Sequence, residues 1–164
     1  HTGAGEVEEL VKPLLEGRSA GVISEAGVPG VADPGALVVE ACDRRGIRVV
    51  PLVGPSSIIL AVMASGLNGQ SFAFNGYLPV KPPERAKAIR FFERRALTEG
   101  QSQLFIEAPY RNGKLMEQLV QTLGAETRLT VAVELTAPGG RIETRTASAA
   151  RTEQTPGDFH HRVA

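Results

Sequence analysis

Twice in its first half the chain repeats one piece of grammar: a short apolar run, a turn rich in glycine and proline, then a helix-like stretch. Ala20-Gly21-Val22-Ile23 leads into Ser24-Glu25-Ala26-Gly27-Val28-Pro29-Gly30-Val31-Ala32-Asp33-Pro34-Gly35. Ile47-Arg48-Val49-Val50-Pro51-Leu52 leads into Val53-Gly54-Pro55-Ser56-Ser57. Strand, turn and helix in succession are the unit of α/β folds, whose ligands collect at loops leaving the carboxyl ends of strands. Two such turns in one chain predict a small-molecule site.

The alternation continues along the chain. Apolar residues at Val7, Leu10, Val11, Leu14 and Leu15 predict a helix over 6–16 that Gly17 stops. Residues 20–24 read as a strand. Asp33-Pro34 predicts a helix start, because Asp can cap and Pro at the first helical position sacrifices no hydrogen bond. That helix runs to Arg45, and the strand at 47–52 is too apolar for an edge. Residues 56–65 are apolar nearly all round and predict a buried helix ending at Gly66.

Character changes near Leu67-Asn68-Gly69-Gln70. Strands are predicted at 72–77, 102–107 and 128–134, a charged amphipathic helix at 84–97 and a helix at 111–123. Residues 141–147 alternate as an edge or hairpin strand. The expected organisation is two α/β domains, 1–69 and 70–164.

Composition narrows the classes. The chain has 164 residues, enough to bury a core. Lys plus Arg (18) balance Asp plus Glu (18), so no basic footprint forces a nucleic-acid reading. A local basic patch on a neutral chain stays compatible with RNA. The single Cys42 rules out an internal disulfide framework and suits a reducing, cytoplasmic setting. No apolar run reaches the ~18 residues of a membrane span. The chain opens at His1 and stops at Ala164, which reads as a piece of a longer protein.

The turns exclude several chemistries. The Gly27/Gly30/Gly35 turn lacks the Gly-Lys-Ser/Thr ending of a phosphate loop and is not the G-x-G-x-x-G dinucleotide fingerprint. Its glycines would let backbone approach a flat or zwitterionic ligand, or would simply punctuate a loop. Ser56 and Ser57 either cap a helix or, with free backbone N–H groups, bind a carboxylate or ribose. Gly54-Pro55-Ser56 is no nucleophile elbow, because position 58 is Ile. His1, His160 and His161 all lie in tails, so neither a Ser–His triad nor a metal site is expected. Glu107 ends one strand, ahead of Ala108-Pro109-Tyr110-Arg111, and Glu134 ends another. Two carboxylates at strand ends suit general-base chemistry, or serve as partners for Arg and backbone donors.

These blocks carry a resemblance. The stretch from Ser24 to Gly35 resembles the S-D-A-G-T-P-x-x-x-D-P-G block of the tetrapyrrole methylase superfamily. The other blocks are similar to the branch that methylates small-subunit ribosomal RNA at a cytidine 2′-oxygen. Val49 to Ser57 resembles V-V-P-x-P-G-P-S-A, and Ala64-Ser65-Gly66-Leu67 matches A-S-G-L. Asn75-Gly76-Tyr77-Leu78-Pro79 resembles E-G-F-L-P, Glu107 to Arg111 resembles E-S-P-H-R, and Val133-Glu134-Leu135-Thr136 resembles R-E-L-T. The blocks occur in order over residues 20–136.

The resemblance implies an S-adenosylmethionine-dependent methyltransferase of two α/β domains, with the cofactor in the cleft between them and homodimers usual. Its implied partner is ribosomal RNA or the small ribosomal subunit. Cofactor positions carry over to Glu25, Gly27, Val28, Ser56, Ser57, Tyr77, Leu78, Ala108, Pro109 and Leu135. Glu107 and Glu134 are the candidate catalytic bases. A sulfonium zwitterion also fits glycines and serines that come without a phosphate-binding lysine. Four positions depart from the pattern: Glu25 for Asp, Val28 for Thr, Tyr110 for His and Ala137 for Lys. Those at Val28, Tyr110 and Ala137 motivate one alternative, a catalytically silent cofactor-binding or dimerisation module; a methylase of a tetrapyrrole-type small molecule is a further one, against which the A-S-G-L and Gly76-Tyr77-Leu78-Pro79 blocks speak. Thr155 to Arg162 resembles the P-P-D-x-H-K-R tail of shorter members. The Gly-Asn-Leu cofactor loop of the family has no counterpart, so the first domain is expected to be truncated at its amino terminus.

Overall fold

The computed structural model describes residues 4–25 and 27–152, so the tail block at 155–162 with its two histidines lies outside the described residues. Contacts divide the chain into two units, His1–Ser56 and Ser57–Ala164.

In the first unit, α1 (Ala4–Leu15) lies against α2 (Ala36–Asp43). Val7 and Val11, one helical turn apart, pack with Ala41 and Cys42, and Leu14, Val38 and Ile47 close the rim. Gly17, at φ 86°, ends α1. Its N–H donates to Leu14 O (3.0 Å) and that of Arg18 to Pro13 O (3.2 Å), the paired bonds of a Schellman turn. Arg45 joins the helices from the far side, donating to Glu8 (2.5 Å) and to Ala41 O (2.9 Å).

Two expectations fail here. Residues 20–24 and 47–52 form no strands. A strand satisfies its N–H and C=O groups on a neighbour, and among the described residues neither run has one. Ile23 is consequently 93% exposed and Leu52 85%. Helix α2 starts at Ala36 rather than at Asp33-Pro34, with Gly35 as N-cap at φ 134° and no side-chain cap. The N–H of Gly30 donates to Pro34 O (3.1 Å), which draws Pro34 into the loop instead.

The second unit opens with α3 (Ser57–Ser65) and contains two small sheets. Strands β1 (Phe72–Phe74) and β2 (Ser102–Leu104) pair in parallel, Phe74 opposite Leu104. Hydrogen bonds carry the pairing further, from Asn75 N to Leu104 O (2.9 Å) and from Ile106 N to Gly76 O (3.0 Å). The crossover is α4 (Pro82–Glu99), with Pro82 and Pro83 in its first turn and left-handed Gly100 ending it at φ 64°. Next come a 3-10 turn at Pro109–Arg111, α5 (Asn112–Thr122), the antiparallel pair β3 (Arg128–Val133) and β4 (Arg141–Thr146), and α6 (Ala147–Thr152).

Its core gathers Leu78, Ile89, Leu115, Leu123 and Ala147, with Phe92, Phe105, Leu119 and Leu129 packed around them. Phe92 and Phe105 meet edge to face at 5.0 Å, which fixes α4 over β2. Helix α3 belongs to this unit, upstream of the Gly69/Gln70 boundary expected from composition. Thr144 Oγ1 donates to Ser65 O (2.7 Å) and Arg128 to Gly66 O (3.2 Å). The helix is not buried all round: Ile59 and Met63 are exposed.

The sequence reading has no counterpart to α6. Thr146 Oγ1 caps it by accepting from Ala149 N (3.2 Å), and Arg151 donates to Val120 O and Leu123 O at the end of α5. Among the described residues no helix is long and apolar enough to cross a membrane.

Ile89 is 2% exposed at the centre of the second core, so Ile89→Ala removes three buried carbons with little room to collapse. The expected loss is about 2–5 kcal/mol of unfolding free energy in urea denaturation of the second unit. A change under 0.5 kcal/mol contradicts this packing.

Candidate functional site

The positions expected to line a cofactor in the first unit lie on two loops that meet. Glu25 and Gly27 are exposed, Gly27 at φ 74° with open space where a β-carbon would stand. Val28 is half-buried, and a β-carbon at Gly54 would lie 3.6 Å from its Cγ1. The turn after residue 24 therefore touches the turn after residue 52. Gly35 allows the first turn to close, since φ 134° is open to glycine and a β-carbon there would come within 3.4 Å of Gly30 N. Ser56 ends this unit, half-buried, and Ser57 opens α3.

In the second unit, parallel pairing brings the ends of β1 and β2 out side by side. Gly76 turns the chain at φ 67°. After it Leu78 enters the core at 3% exposure, so that only its backbone can serve a ligand, whereas Tyr77 is 60% exposed. Beside them stands the loop from Glu107 to Arg111. Its Glu107 side chain is 7% exposed and paired with Arg111 Nη2 at 2.6 Å. The same carboxylate oxygen accepts from Arg111 Nε (2.7 Å) and from Ala108 N (2.8 Å). Arg111 in turn stands over two rings, its guanidinium carbon 5.6 Å from the centre of Tyr77 and 5.4 Å from that of Tyr110. Ala108 and Pro109 form the backbone rim of this cluster, half-buried.

Glu134 and Leu135 sit in the turn that joins β3 to β4. Glu134 has φ 49° and Thr136 φ 75°, both left-handed without being glycine. Such backbone costs about 1–3 kcal/mol per residue and persists only where the surroundings impose it. Here they do: Ala137 N donates to Glu134 O (2.9 Å) and Gly140 N to Ala137 O (2.9 Å). A β-carbon on Gly140 would fall 2.4 Å from Glu134 O. Glu134 makes no side-chain hydrogen bond or ion pair among the described residues, in contrast to Glu107. No group of three His, Cys, Asp or Glu able to hold a metal occurs among them either.

Comparison with known proteins decides the family. The model of the tetrapyrrole (corrin/porphyrin) methylases matches residues 2–150. The chain belongs to the tetrapyrrole methylase family. Among its relatives are proteins named ribosomal RNA small subunit methyltransferase I. That of Vibrio cholerae is 36% identical over 136 residues, 83% of this chain and 46% of the relative. The Synechocystis protein is 36% identical over 163 residues, 97% of this chain and 57% of the relative. The Mesorhizobium japonicum protein is 39% identical over 148 residues, 89% and 49% respectively. The chain thus spans about half the length of the relatives it matches. The crystal structure of the methyltransferase CobJ aligns with TM-score 0.58 at 20% identity, covering 92% of this chain and 64% of that one, which shows the α/β fold.

In this member of the tetrapyrrole methylase family, Arg111 is the residue of the second-unit cluster that sequence reasoning left out. Its signal was present: a carboxylate and a guanidinium four positions apart, with Pro109 starting a helical turn between them. Removing it leaves a buried carboxylate without its cation. Arg111→Ala is expected to cost about 1–3 kcal/mol of stability, and Glu107→Gln less, since the amide can still accept from Ala108 N. Thermal or urea unfolding of the two variants checks the order, and equal stabilities would refute it.

Proposed function

We propose that this chain serves an S-adenosylmethionine-dependent methyltransferase acting on small-subunit ribosomal RNA at a ribose 2′-hydroxyl. The observation that carries this is identity of 36% or more, over most of the chain, to proteins named ribosomal RNA small subunit methyltransferase I. Taken each by itself, the two units carry residues suited to parts of such a cofactor. Gly27 offers open, left-handed backbone where an amino-acid moiety or a ribose could lie against main-chain groups. The Tyr77–Arg111–Tyr110 cluster offers exposed aromatic faces to an adenine. A homodimer in the cytoplasm belongs to the same reading.

When bound, the cofactor supplies a methyl group on a sulfonium. The protein's part is to align the acceptor oxygen with that carbon and to receive its proton. Glu107 is 7% exposed and accepts three donors on one of its oxygens, so we assign it to holding Arg111 in place, as a positioning residue. Glu134 has its carboxylate free of hydrogen bonds and ion pairs among the described residues. It is the general base we assign.

Two outcomes test this. Calorimetry with the full-length protein is expected to show cofactor binding that Gly27→Trp weakens at least tenfold. Glu134→Gln is expected to lower kcat for methyl transfer by ~10²-fold or more with cofactor affinity kept. Mass spectrometry of nucleosides from ribosomal RNA exposed to the protein identifies the acceptor. Cofactor binding without any methylated nucleoside or tetrapyrrole would favour the silent module, which the departures at Val28, Tyr110 and Ala137 motivate.

A further inference from the structure

Helix α4 sorts its charges into two classes. Every acid on it is engaged: Glu84 with Lys81 (3.6 Å), Glu93 with Gly124 N (2.7 Å) and Thr127 Oγ1, Glu99 with Arg95 (2.9 Å). The Arg95 hydrogen bond holds the Glu99 carboxyl below its ordinary range, so that pair stays charged. Arg85 is buried and bonded to Gln118. Lys87, Arg90 and Arg94 are different. All three are exposed, and among the described residues no hydrogen bond or ion pair engages their side chains.

The three cations sit at i, i+3 and i+7, which places them on one helical face within roughly 60° of arc and about 10 Å of axis. Phe91 flanks this face, about 40° around the helix from Lys87, and is 46% exposed. Like charges three and four apart disfavour a helix, and an exposed aromatic ring gains nothing from water. The core side of α4 is supplied by Ile89 and Phe92, and Phe91 reaches that side only through its edge-to-face contact with Phe92 at 5.1 Å, which leaves the three cations outside the packing. A polyanion relieves the repulsion, and a flat partner covers the ring.

We propose that this face of α4 docks the phosphate backbone of RNA, with Phe91 stacking on an unpaired base. The proposal rests on the ribosomal RNA reading above. An acidic protein would satisfy the cations but not the ring, and a chain with 18 cations against 18 anions has no general pull on nucleic acid, so the cluster itself must supply it.

The test is binding of the full-length protein to a small-subunit ribosomal RNA fragment between 50 and 200 mM potassium chloride, wild type against K87Q/R90Q/R94Q. Circular dichroism and cofactor calorimetry are run on both. The triple variant is expected to bind RNA at least tenfold more weakly, with the slope of log K against log salt reduced by about 2. Its helicity and cofactor affinity should match wild type. F91A should weaken binding severalfold and leave the slope unchanged. Equal affinity and slope for wild type and triple variant overturn the proposal while the ribosomal RNA reading stands. Absence of RNA binding by a wild type that binds cofactor overturns both. Loss of self-association with RNA affinity intact overturns it in favour of a second copy, and equal competition by polyaspartate and RNA overturns it in favour of an acidic protein.

Discussion

The parallel pairing of β1 with β2 is the constraint on which the site of the second unit depends. Parallel strands send their carboxyl ends out in the same direction, and beyond the register that sets Phe74 opposite Leu104 the bond from Ile106 N to Gly76 O keeps the turn before Tyr77 beside the loop that starts at Glu107. No antiparallel arrangement of the same two strands would do this. The crossover that makes parallel pairing possible is α4, fixed to the sheet by the Phe92–Phe105 contact and by Ile89. Arg111 then reaches both the carboxylate of its own loop and the ring of the neighbouring one. The pair of loops behaves as one object because one guanidinium belongs to both.

How much of this is legible in sequence depends on where the energy of each element comes from. Helices α1, α4 and α5 carry periodic apolar faces and local stop signals such as Gly17 and Gly100, and each was legible to within a few residues. The β3–β4 ribbon was legible from alternation. Residues 20–24 and 47–52 are equally apolar, yet they form no strands, because a strand is a relation between segments and composition names only one of them. Helix α6 was illegible for the opposite reason: it is too short to show a period and rests on a cap from Thr146 and a clasp by Arg151. Of the candidate site, the placing of Glu107 and Glu134 in loops after strands was legible, while which of the two carboxylates is paired was not. The pairing depends on which carboxylate an arginine reaches, and Arg111 reaches Glu107.

The molecule also shows how charge neutrality can mislead. Equal totals of acids and bases conceal unequal pairing. On α4 the carboxylates turn toward backbone donors and neighbouring cations, and the unpaired positive charge that results is a local property no sum reveals. Opposite signs cancel in the far field beyond a Debye length and remain distinct at contact.

Cys42 is the chain's single thiol, and it lies 4% exposed between α1 and α2. A thiol must reach solvent to be alkylated, so the labelling rate of Cys42 reports the opening of that helix pair. The protein therefore carries a built-in chemical stopwatch on its first unit. The opening of that helix pair can be timed on the native sequence, with no engineered probe.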